Sequence, residues 1–100
     1  MMPAGPPAAY NQRERLARRY LRFAREETRN ACPIYAALAE AVPSSPDVLS
    51  FLAELPEEKR QPNLFLAAVR HLHGVPRDVA DLTEIVRRGR DPLRALMLSR

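Results

Sequence analysis

Seven prolines, Pro33, Pro43, Pro46, Pro56, Pro62, Pro76 and Pro92, stand between residue 10 and the end of this 100-residue chain, and they limit its fold more than any other feature. Each has a fixed φ and no backbone N–H, so each is excluded from a helix interior and from a paired central strand, but accepted in a first helical turn. Between them apolar residues recur at helical spacing. No stretch alternates with period two, and none is rich enough in β-branched residues to read as a strand. The pattern predicts an all-α fold, a small bundle of about five or six helices with short connections punctuated by proline and glycine. In this reading residues 10–100 form a single helical domain, and residues 1–9, proline-rich and uncharged, a disordered tail.

The longest helix is expected from Asn11 to Asn30, with Leu16, Tyr20, Phe23, Ala24 and Ala31 on one face. Pro33 restarts the chain with Cys32 at the N-cap, and Ile34, Tyr35, Leu38 and Val42 supply the next apolar face until Pro43. Ser45-Pro46-Asp47 combines a serine cap, a proline and an acid in one first turn, and Val48, Leu49, Phe51, Leu52 and Leu55 follow. Asp78 is placed to cap a helix whose core face is Val79, Leu82, Ile85 and Val86, with Glu84 and Arg88 paired outside. Gly89 closes it, and Asp91-Pro92 opens a last one.

The stretch from Leu55 to Gly74 is specified at nearly every position. Pro62 starts its helix with Gln61 as N-cap, and Gly74 ends it. Leu64, Phe65, Leu66, Ala68, Val69 and Leu72 cover a sector of roughly 200°, wider than the stripe of a surface helix. It is therefore expected to be the central helix, enclosed on three sides, with Phe65 and Leu72 carrying the most stability.

Its narrow remaining face carries Asn63 and Arg70 with the small Ala67 between them, and Arg60 lies just upstream. Glu27 projects into the apolar sector of the first helix, where a carboxylate needs a partner. Arg60 and Arg70 are the cations within reach, so Arg60, Asn63, Arg70 and Glu27 form a candidate polar pocket. The bland alternative is a helix edge meeting solvent.

Hydrophobic content of 46% with 28% charged residues describes a globular chain. The net charge of +4 rests on fifteen arginines and one lysine, Lys59. Arg15, Arg18, Arg22, Arg25 and Arg29 lie together on the first helix, opposite its apolar face. Such a ridge is either a solvated surface or the contact of a small basic nucleic-acid-binding domain.

Cys32 is the only cysteine, so no intrachain disulfide forms and a reducing compartment, the cytoplasm, is expected. His71 and His73 point to different sides of a helix and cannot share an ion, so no metal and no cofactor is assigned. There is no glycine-rich phosphate loop and no nucleophile elbow. A Cys32–His71 pair is the remaining catalytic arrangement, without a signature around it. No apolar run is long enough to span a bilayer, and no role at a membrane is expected.

Leu55-Pro-x-x-Lys-Arg-Gln-Pro-Asn-Leu, Leu16-Ala-Arg-Arg-Tyr-Leu-Arg-Phe-Ala-Arg-Glu-Glu and Pro33-Ile-Tyr-Ala-Ala-Leu-Ala together resemble the N-terminal part of a bacterial protein family of unknown function, over most of Leu16 to Arg100. The resemblance implies a helical accessory or interaction module in front of an α/β, Rossmann-type part, and it implies no activity. The last helix agrees with a partner. Leu93, Leu96 and Met97 lie on one side and Leu98 on nearly the other, so one small bundle covers only one of these faces. The downstream α/β domain or a second copy of the chain is expected on Leu98.

Overall fold

Proline and polar caps fix where the helices begin. In this computed structural model, which describes residues 8–29 and 33–99 with side chains from Gln12 onward, six α-helices follow one another: α1 (Ala8–Arg29), α2 (Pro33–Ala41), α3 (Pro46–Ala53), α4 (Pro62–His73), α5 (Val79–Arg88) and α6 (Arg90–Leu98). Pro33, Pro46 and Pro62 each occupy a first helical position. Single 3-10 turns, Val42–Ser44 and Glu57–Lys59, join α2 to α3 and lead into α4. No strand occurs among the described residues. The fold is thus the expected small all-α bundle.

Boundaries differ in two places. The first helix already includes Ala8 and Ala9, and α6 begins at Arg90, which puts Pro92 inside its first turn, where a missing N–H costs nothing. The rest of the expected tail, the Cys32 cap, Ala31 and the Asn30 helix end lie outside the described residues.

The first helix runs along α2 and α3, α3 packs on α5, and α4 on α6. At their meeting point Phe65 of α4 lies edge-on to Tyr20 of α1, with ring centroids 6.4 Å apart, and tilted against Phe51 of α3 at 6.1 Å. All three rings are fully buried, as are Leu52, Leu82, Leu93 and Met97 around them. Such a cluster contributes both buried area and ring-edge electrostatics.

The helix read as central is not enclosed on three sides. Phe65, Leu66, Ala68 and Val69 are buried and Leu64 is half-buried, but Leu72 lies in the exposed last turn of α4 and is 39% exposed. The most enclosed helix is the shorter α3, where Val48, Leu49, Phe51 and Leu52 are all buried. On α2 the buried face is Ala36, Leu38 and Ala39, and Ile34, read as core, is 54% exposed. Alanine permits the close approach of α1 on that side and pushes the larger isoleucine to the other.

Polar groups tie the ends together. Ser45 caps α3 by accepting from the Val48 N–H at 3.4 Å, and its buried hydroxyl lies 2.7 Å from that of Thr83 on α5. Thr83 donates to the Val79 carbonyl at 2.7 Å, which leaves Ser45 as donor to Thr83 and completes a chain of hydroxyls. Asp78 caps α5 by accepting from the Asp81 N–H at 2.8 Å. Glu54, just past the last residue of α3, takes Arg90 on one carboxylate oxygen and Arg94, at 2.6 Å, on the other, while Arg90 also stands 6.0 Å over the Phe51 ring. Gly89 lies close under α4: a Cβ there would stand 3.0 Å from the His73 imidazole.

Tyr20 is an exception to this economy. Its hydroxyl is buried and has no hydrogen-bond partner among the described residues. Burial pushes the phenol well above its ordinary value, with the Arg19 charge opposing weakly.

This packing ranks the substitutions on α4. Phe65→Ala removes the shared ring and is expected to cost about 4 kcal/mol, a large part of the stability of a domain this size, whereas Leu72→Ala costs about 1 kcal/mol or less; urea unfolding of both variants checks the order. A second expected outcome concerns Tyr20. Because its phenol ionises less readily when folded, stability is fully present below the unfolded value near pH 10 and falls above it by about 1.4 kcal/mol per pH unit. Tyr20→Phe is expected to remove that alkaline loss and, by deleting an unpartnered polar atom, to be as stable as the parent or more so at neutral pH. Thermal melts from neutral to strongly alkaline pH give the measurement.

Candidate functional site

A broad concavity arises where α2 faces the connection between α4 and α5. Gly74, at φ 80° and ψ -168°, turns the chain out of α4 through a backbone region that only glycine enters readily. Val75 and Pro76 then run across, and Asp78 with Asp81 pins the far end: the Arg77 N–H donates to the Asp81 carboxylate at 3.0 Å and the Asp81 N–H to Asp78. Opposite, Ile34, Ala37 and Ala41 line one ridge of α2 at spacings of three and four residues. The groove between has a volume of about 720 Å³ and is apolar except for Arg77 and Asp78. Ile34 at 54% and Val75 at 47% exposure are the two most exposed large apolar side chains described. Apart from Arg77 and Asp78, which caps α5, its described lining is apolar, so what it offers is shape and apolar contact.

Sequence reasoning did not find this groove. Its walls lie about forty residues apart and meet only in the fold, but two signals pointed to it. The second helix is apolar over more of its circumference than one neighbour covers, and Val75-Pro76 puts two apolar residues in a connection where polar ones are usual.

The candidate pocket residues sit in distinct surroundings. Arg60 turns its guanidinium back onto the end of α3, donating to the carbonyls of Leu55 at 2.8 Å and Ala53 at 3.1 Å. It thereby satisfies acceptors that the helix end leaves open. Among the described residues no ion pair joins it to Glu27, which is half-buried on α1. Asn63 opens onto a different cleft, of about 260 Å³, shared with Arg19, Arg22, Glu26 and Gln61. Arg70 is exposed one heptad further along the same ridge of α4. Arg19 connects the two regions by donating to the Arg60 carbonyl at 3.4 Å.

All five arginines of the α1 ridge, Arg15, Arg18, Arg22, Arg25 and Arg29, are exposed. Arg18 pairs with Glu14 at 2.6 Å. On α6, Leu93 and Met97 are fully buried in the chain's own core and Leu96 is half-buried, which leaves Leu98, at 44% exposure, facing outward. His71 and His73 are both exposed, and among the described residues no group of three or more histidine, cysteine, aspartate or glutamate side chains is placed to hold a metal ion. None of the described helices is long and apolar enough to cross a membrane.

The chain belongs to a bacterial family described as uncharacterized protein conserved in bacteria (DUF2332), whose model matches residues 17–89. The matched span holds the Arg60 fork, the Asn63 cleft and both walls of the groove, and it ends at Gly89, before α6. Neither a curated protein nor a solved structure matches the chain.

The fork makes Arg60 a structural residue in this geometry. Arg60→Ala is expected to lower stability by about 1 to 2 kcal/mol, by stranding carbonyls at the end of α3. Arg60→Lys should recover less than half of that, because one ammonium does not reproduce a planar two-donor fork. Urea midpoints of the two variants measure it, and full recovery by lysine would mean that charge alone matters there.

Proposed function

We propose that this family member is a helical protein-interaction module that docks through the groove between α2 and the α4–α5 connection onto an α/β domain, of the kind the sequence resemblance implies. The observation that carries this reading is the half-exposed pair Ile34 and Val75 on opposite walls of an apolar groove. A small bundle with a limited core loses stability by leaving such side chains in water, and a partner surface regains it. The polar edge formed by Arg77 and Asp78 supplies the rim that such contacts use to fix orientation. The lone cysteine supports the cytoplasm as its compartment.

Titration calorimetry of the chain against the α/β part of a longer family member tests this. The expected result is roughly micromolar binding that changes by less than about threefold between about 50 and 300 mM salt, since apolar contact rather than counterion release carries it. Ile34→Glu should weaken it by about tenfold or more while leaving the unfolding midpoint nearly unchanged. Loss at Leu98→Glu but not at Ile34→Glu would move the contact to the end of α6. Self-association of the chain that Ile34→Glu abolishes would give the groove to a second copy, and no binding in any arm would overturn the reading.

A further inference from the structure

Most of the described arginines are occupied. Arg13 donates to Ser50, Arg18 pairs with Glu14, Arg19 and Arg60 bond carbonyls, Arg77 pairs with Asp81, Arg87 and Arg88 share Glu84, and Arg90 and Arg94 share Glu54. Arg70 also has an interaction. Among the described residues only Arg15, Arg22, Arg25 and Arg29 are arginines that make no ion pair or hydrogen bond, and all four lie on the ridge of α1. Positions 15, 18, 22, 25 and 29 repeat at alternating spacings of three and four, so the five guanidiniums form one straight row. At about 1.5 Å of rise per residue the row is about 21 Å long. Glu14 and Glu26 flank it, which leaves five positive charges against two negative on that side.

From this row the geometry points to the phosphate backbone of duplex DNA as a ligand of α1, bound without reading sequence. A row of planar donors along one helix face suits the dense phosphates of duplex DNA, which carries one on each strand per about 3.4 Å of its axis. A single strand is a poorer match, because its recognition uses exposed aromatic rings for base stacking. The nearby rings, Tyr20 and Phe23, are buried and half-buried. An anionic membrane is poorer too, because an interfacial helix inserts its apolar face, and that of α1 is closed by Leu16, Tyr20 and Ala24 in the core. Among the described residues no hydrogen bond or ion pair ties the row to another helix, so the charges of Arg15, Arg22, Arg25 and Arg29 are available for binding. This inference is independent of the groove.

Fluorescence anisotropy with a labelled duplex of about 20 base pairs tests it, with binding expected near the micromolar to hundred-micromolar range at low salt. Arg15→Gln, Arg22→Gln and Arg29→Gln combined should lower affinity by about tenfold or more and reduce the slope of log affinity against log salt by roughly 2 to 3, at about 0.9 per lost phosphate contact. Arg77→Gln, Arg87→Gln and Arg88→Gln combined remove the same charge elsewhere and should change affinity by less than about threefold. Matching urea curves for parent and row variant would show that the loss is one of contact and not of folding. Absence of duplex binding by the parent at low salt, equal losses in the two triple variants, or tighter binding to the single strand or to phosphatidylserine vesicles would each overturn the proposal.

Discussion

The Phe65 ring holds three helices in one arrangement. It touches Tyr20 and Phe51 at once, and each of those belongs to a helix that has its own reasons to form but none to choose that neighbour. Local signals in this chain specify helices, and the aromatic contact specifies their mutual placement. Because α3 is so short, it would be marginal alone, and its four buried residues are what keep it helical. The polar ties then act on an arrangement already made: the Ser45–Thr83 hydroxyl chain sets α5 against α3, and the shared Glu54 sets α6.

How far this was legible from the residues depended on how local the cause was. Prolines, caps and apolar spacing are read within one turn, so the helix class, the Ser45 and Asp78 caps and the five exposed arginines were visible in the sequence. The readings at Ile34 and Leu72 failed for one reason. Periodicity ranks the faces of a helix but does not say how far its neighbours cover it: the last turn of α4 is exposed, and α2 buries Ala36, Leu38 and Ala39 while Ile34 stays outside. Arg60 failed differently. A cation beside a carboxylate suggests an ion pair, yet the stronger need was the open carbonyls at the end of α3, which no side-chain pattern announces.

Two surfaces that do not share residues distinguish the chain from a mere helical spacer. One is apolar and concave, built from α2 and the α4–α5 connection; the other is basic and straight, on α1. Their physics differs in a usable way. Apolar contact is short-ranged and nearly indifferent to salt, while a row of guanidiniums attracts from a distance and is screened by it. The two proposed contacts would therefore act through separate forces.

Gly74 gives the groove a kind of independence. A side chain added there would meet nothing within 4 Å, so the whole objection to any other residue lies in a backbone held at a φ of 80°. Such a conformation strains any residue that carries a Cβ. The torsion at Gly74 therefore sets the direction in which the chain leaves α4, and the buried Pro76 then holds its course. One wall of the groove is thus open to revision from a single backbone position: an exchange at Gly74 would act on the course of the α4–α5 connection through strain in the main chain, with no neighbouring side chain to displace.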